Sequence, residues 1–176
     1  RFQKWGKNIA AVGDFVAKSS KVITLGLTAM AGAGAAVVIF KSKEIDKINQ
    51  MSSAFGITTK AMQEWSFAGK AVGLEGEKIG DIFKDVSDKL GDFINTGGGG
   101  AADLFENMNI QISDFIGLAP DKAMLKLGEA MDGLNKQDKI FFLESIASDA
   151  SLLLPLLEDS GKAFKQLAED ANSAGA

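Results

Sequence analysis

Lys78-Ile79-Gly80-Asp81-Ile82-Phe83-Lys84-Asp85-Val86-Ser87-Asp88-Lys89-Leu90-Gly91-Asp92-Phe93-Ile94 decides the fold class. Ile79, Ile82, Phe83, Val86, Leu90, Phe93 and Ile94 recur every three or four residues, and Lys78, Asp81, Lys84, Asp85 and Lys89 fill the opposite side. That is the 3.6-residue period of an amphipathic helix; a half-buried strand would alternate at every second residue. Ile79, Ile82, Phe83, Val86 and Leu90 form more apolar stripe than a small chain easily hides, so this face is expected to drive self-association.

Downstream, Gly97-Gly98-Gly99-Gly100 carries too much backbone freedom to continue a helix and reads as a hinge. A short helix is expected over 101–108. Residues 109–117 then read as an irregular connector, in which Ile110 and Ile112 alternate enough for a short extended piece. Pro120 fits the first turn of a helix running to Met131. Further helices are expected at 135–147, 151–158 and 162–171, with a flexible tail at 173–176.

Upstream, Phe55-Gly56-Ile57-Thr58 is a helix break: Gly56 suits a left-handed cap and Thr58 can start the next helix, 59–72, which carries Met62, Trp65 and Phe67. Before that break, Ile45, Ile48 and Met51 share a stripe that continues an apolar run. The expected fold is all-α: a long N-terminal apolar and then amphipathic helix, followed by a bundle of short helices joined by Gly-rich turns. Its two parts are 1–55 and 56–172.

The apolar run, residues 22–40, has no charge, and as a helix it would be about 30 Å long, the thickness of a bilayer's hydrocarbon core. Val22, Leu25, Leu27, Ala29, Gly32, Ala33, Ala36, Val37, Ile39 and Phe40 make it a membrane or helix-packing segment. Small residues four apart (Ala29 with Ala33, Gly32 with Ala36) favour close helix contact in either medium. Residues 2–17 read as a preceding short helix, with Ser19 or Ser20 as the next cap.

Charge is divided unevenly. Residues 1–43 hold seven basic and one acidic side chain (+6), and residues 44–176 hold twelve and twenty-two (−10). Lys4, Lys7, Lys18 and Lys21 could favour anionic lipid or simply form a solvated helix face. The acidic body argues against nucleic-acid binding. A signal peptide fits less well than an internal piece of a longer polypeptide, since about twenty residues precede the run and the first residue is Arg1.

The chain has no histidine, cysteine or tyrosine. Acid–base and nucleophilic catalysis draw mostly on His and Cys or on facing carboxylates, and Glu75, Glu77, Asp81, Asp85 and Asp88 read as solvated acids beside lysines. Soft-metal ligands are missing, and no acid spacing matches a calcium loop. Gly69-Lys70-Ala71 and Gly161-Lys162-Ala163 lack the hydroxyl of a phosphate-binding loop. No enzymatic activity, cofactor or metal is expected.

Ala54-Phe55-Gly56-Ile57-Thr58-Thr59-Lys60-Ala61-Met62-Gln63-Glu64-Trp65-Ser66-Phe67-Ala68 resembles the tape measure proteins of long-tailed bacteriophages and prophages. The similarity continues in order through Val72-Gly73-Leu74, Leu90-Gly91, Gly97 to Phe105, Asn109-Ile110 and Gly117-Leu118-Ala119-Pro120-Asp121. It closes with Phe141-Phe142-Leu143-Glu144, Leu153-Leu154-Pro155-Leu156-Leu157 and Gly161, and spans roughly residues 20–170. Lys60 departs from the pattern, where an acid often supports the helix start. No peptidase or muramidase domain is visible.

The resemblance implies a structural virion component in the tail-tube lumen, which sets tail length and takes part in DNA ejection across the host inner membrane. Its implied partners are further copies of itself (a trimer or hexamer about the tail axis), tail tube and tail tip proteins, and the host inner membrane transiently during infection. The alternative is a membrane-active helical protein, a pore-forming toxin or effector, which would use the same 22–40 run with its lysine flanks.

Overall fold

A computed structural model describes residues 42–99 and 102–173. In chain order these form α1 (Ser42–Phe55), α2 (Thr59–Ala71), α3 (Gly76–Thr96), α4 (Ala102–Asn107), a 3₁₀ turn (Ile112–Asp114), α5 (Pro120–Ala130), α6 (Lys136–Ile146), a second 3₁₀ turn (Ala150–Leu153) and α7 (Leu154–Ser173). Among the described residues there is no strand, and the fold is all-helical.

The helix ends follow from local chemistry. Gly56 takes φ +64°, and the extended Thr58 accepts the Ala61 N–H on its hydroxyl at 3.1 Å. Lys60 lies 3.9 Å from Glu64 one turn on, an i,i+4 pair in the less favourable orientation, so the first turn of α2 has no acid to support it. Gly97 closes α3 in the left-handed region, donating its N–H to the Phe93 carbonyl at 2.9 Å. Asn135 caps α6 through the Asp138 N–H at 3.0 Å. Thr58→Ala should remove the α2 cap and lower stability by about 1 kcal/mol, read as a reduced urea midpoint with unchanged helix content.

The core is organised around α3, which α1, α2, α5 and α6 all touch. Trp65 of α2 lies edge-on to Phe83 (5.3 Å, 83°) and stacks obliquely on Phe164 of α7 (4.2 Å, 31°). A second aromatic group joins Phe93, Phe105 and Phe142, tying α3, α4 and α6 together. Helices α5 and α7 cross closely at Gly128, where a Cβ would sit 3.1 Å from the Leu157 Cβ.

Several expectations change here. Ile79, Ile82, Phe83, Val86 and Leu90, expected to drive self-association, are buried inside the chain. The physical reason is that neighbouring helices of the same chain supply the cover that the stripe needs. The extended piece near Ile110 and Ile112 is instead a 3₁₀ turn, closed by Asp114 N–H to the Gln111 carbonyl and Phe115 N–H to the Ile112 carbonyl, which drops Phe115 into the core.

The helix expected over 151–158 opens with a 3₁₀ turn, and it joins the last helix through a sharp joint. Asp159, Ser160 and Gly161 are all left-handed (φ +53°, +55° and +72°). The joint is held from outside by Asp132, which accepts the Ser160 hydroxyl at 2.9 Å, and by Lys139, 3.7 Å from Glu158, and from within α7 by Lys165, which donates to the Ser160 carbonyl at 2.9 Å.

The helices expected at 2–17 and 22–40, and the tail beyond residue 173, lie outside the described residues. Among the described residues, no helix is long and apolar enough to cross a membrane.

Candidate functional site

Where α1 and α2 meet the first turn of α3, they leave a cleft of about 150 Å³. Helix α1 contributes Glu44, Lys47, Ile48 and Met51, α2 contributes Ser66 and Lys70, and the α3 start contributes Glu75, Gly76 and Glu77. Two ion pairs frame it, Lys47 with Glu77 and Lys70 with Glu44 at 3.5 Å. Ile48 is buried and Met51 packs against the core, so part of the wall is apolar.

Ser66 is 1% exposed, and its hydroxyl has no hydrogen-bond partner. Helical serines usually return their hydroxyl to the carbonyl one turn back. Ser52, Ser87 and Ser145 do so here, at 2.7, 2.8 and 2.7 Å. Ser66 instead faces Gly76, whose added Cβ would lie 3.2 Å from the hydroxyl oxygen. Glu75, the residue before α3, is extended but makes no side-chain cap, leaving the first-turn amides of α3 without one.

A second, wider groove of about 470 Å³ runs between α3 and α6, lined by Asp85, Asp88, Asp92 and Glu144 with Lys89, Ser145 and Ser148. Two of its acids are engaged in local contacts: Asp88 with Lys84 at 3.4 Å, and Glu144 accepting the Ser151 N–H at 3.2 Å. Among the described residues, no group of acids could hold a metal ion. Nearby, Lys78 donates to Asp149 at 3.0 Å, and that bond, followed by the carboxylate's charge, raises the ammonium pKa above the ordinary lysine range. The pair's stabilisation is therefore present below the ordinary lysine pKa and lost as pH climbs past the raised one.

The α3 stripe residues expected from sequence to carry function line neither cavity. The 22–40 segment lies outside the described residues, and the α3 stripe is core. Exposed large apolar side chains occur on separate elements: Ile45 on α1, Ile94 at the end of α3, Ile116 and Leu118 before α5, and Phe141 on α6. Sequence reading missed Ser66 and Gly76. The available signal was a hydroxyl placed one turn after Met62, between Trp65 and Phe67, on the buried side of α2.

Comparison with family models, with curated proteins and with solved structures gave no match.

Proposed function

We propose that this chain is part of a tape measure protein of a long-tailed bacteriophage or prophage, a non-enzymatic component of the tail-tube lumen that sets tail length and assists DNA ejection. The observation that carries this reading is the ordered series of family-like landmarks, together with their coincidence with helix boundaries. Gly56 and Thr58 separate α1 from α2, Gly73 (φ +83°) follows α2, Gly97 ends α3, Gly117 (φ +76°) and Pro120 precede α5, and Gly161 lies in the α7 joint. The all-helical fold is compatible with that role. Self-association as a trimer or hexamer, with tail tube and tail tip proteins as further partners, belongs to the same proposal, through surfaces other than the buried α3 stripe.

The test is deletion of the coding segment in the genome that carries it, with tails examined by electron microscopy. Lost or mis-sized tails are expected, restored by supplying the parent gene. Tails of normal length and normal DNA delivery would overturn the proposal.

The runner-up, a pore-forming toxin or effector, draws on the 22–40 run with Lys18 and Lys21 before it and Lys41 and Lys43 after it. In the tail reading, this run enters the host inner membrane during ejection, because a helix satisfies its own backbone hydrogen bonds in lipid. Ala33→Asp should then cost about 2.5–3.5 kcal/mol on insertion, abolishing DNA delivery while tails assemble at normal length. Unchanged delivery and unchanged leakage from dye-loaded liposomes would restrict the run to helix packing. A secreted parent chain whose leakage activity falls with Ala33→Asp, with no tail phenotype, would favour the toxin.

A further inference from the structure

We infer that the cleft between α1, α2 and the first turn of α3 binds a carboxylate carried on a short aliphatic stem. The first observation is the Ser66 hydroxyl, buried and without a partner. A polar group left in that state destabilises the fold, and alanine would fill the position without that cost. A residue that weakens the fold where it stands marks a place where local rules yield to binding.

The second observation is the start of α3, a 21-residue helix with no side-chain cap. Its first amides point along the axis, and the terminus carries roughly half a positive charge. Amides and hydroxyl together form a donor set for one oxygen-rich group. Gly76 keeps the space between them open, since any side chain there would begin 3.2 Å from the Ser66 oxygen.

Charge selects the class of ligand. Lys47 is matched by Glu77 and Lys70 by Glu44, while Glu75 adds a further acid beside the amides. Each negative charge on the ligand is repelled by that acid, so a phosphate dianion is disfavoured relative to a monoanion, whose single charge is met by the amides and the hydroxyl. Ile48 and Met51 offer apolar wall to the stem. The volume, about 150 Å³, equals about five waters at liquid density, enough for a short-chain acid. The carboxylate could belong to a free acid or to the acidic side chain of a neighbouring polypeptide; the chemistry of recognition is the same.

The test is amide NMR on the full chain, titrated with propionate, propanamide, inorganic phosphate and a blocked Gly-Glu-Gly peptide. Propionate should shift the Gly76, Glu77 and Lys78 amides saturably, with propanamide and phosphate about tenfold weaker or more, the scale of one charge-assisted hydrogen bond. Ser66→Ala should weaken propionate about tenfold and at the same time raise the urea midpoint, a pairing that a structural hydroxyl would not give. Gly76→Ala, which leaves Ser66 in place, should block the shifts, and Glu75→Gln should tighten binding about threefold by removing a like charge. A blocked peptide that binds more tightly than propionate assigns the carboxylate to a polypeptide, and a weaker one assigns it to a free acid; either supports the site. Equal binding of propanamide, tighter binding of phosphate, no saturable shift with propionate, or a lowered midpoint for Ser66→Ala would overturn it.

Discussion

Ile82→Asp is expected to abolish the cooperative unfolding transition and to leave a chain that no longer holds its tertiary structure. Ile82 is 1% exposed on the inner side of α3, at the centre of the core. The substitution removes an apolar side chain and places an unpaired carboxylate where no described basic side chain is buried, a combined cost of about 5 kcal/mol or more. Typical domains have about 5–15 kcal/mol in total. The experiment also separates two roles for the stripe. An interface between copies would answer Ile82→Asp by dissociating into folded monomers; a core answers by unfolding. Urea denaturation followed by circular dichroism, with light scattering alongside, reads both, and a folded monomer of parental stability would contradict the burial described above.

Trp65→Ala is the second large effect, about 3–5 kcal/mol. Trp65 is the contact through which three helices meet, since its ring touches Phe83 of α3 and Phe164 of α7 while its own backbone belongs to α2. Truncation leaves a cavity that those two rings cannot both fill, because each is also fixed by its own helix. The urea midpoint should fall by about 1 M or more, taking about 1–3 kcal/mol per M for the slope. Trp65→Phe should recover more than half of the loss. A midpoint within a few tenths molar of the parent for Trp65→Ala would show that α7 does not depend on this contact.

The helices themselves were legible because their signals are local. The Thr58 cap, Pro120 at a first turn and the glycine after Thr96 each act within a few residues, and each marks the boundary it was expected to mark, as the α3 period marks its helix. What covers a face is not local. The period of Ile79 to Leu90 identifies a buried side but carries no information on whether the cover comes from α1, α2 and α5 or from another copy. Ile110 and Ile112 are too short a pattern to distinguish a strand from a 3₁₀ turn; the pull of Phe115 into the core decides it. Ser66 was invisible as a site because its meaning depends on where Gly76 comes to rest. The left-handed joint at 159–161 likewise depends on Asp132 and Lys139, far away in the sequence.

That joint also governs the order in which the molecule can be assembled. It turns the last twelve residues of α7 back onto α2, where Phe164 covers Trp65 and the Asn172 amide donates to Glu64 at 2.8 Å across 108 residues of sequence. At about 5–20 residues per second on the ribosome, roughly 5–20 s separate the appearance of Glu64 from that of its partner. Local helix formation is over within microseconds. Throughout that interval the side of Trp65 that Phe164 will cover has no lid and is open to whatever nascent or finished polypeptide is nearby. Closure is thus a late, long-range event, and the period of greatest exposure to aggregation is set by translation speed, not by the stability of any helix.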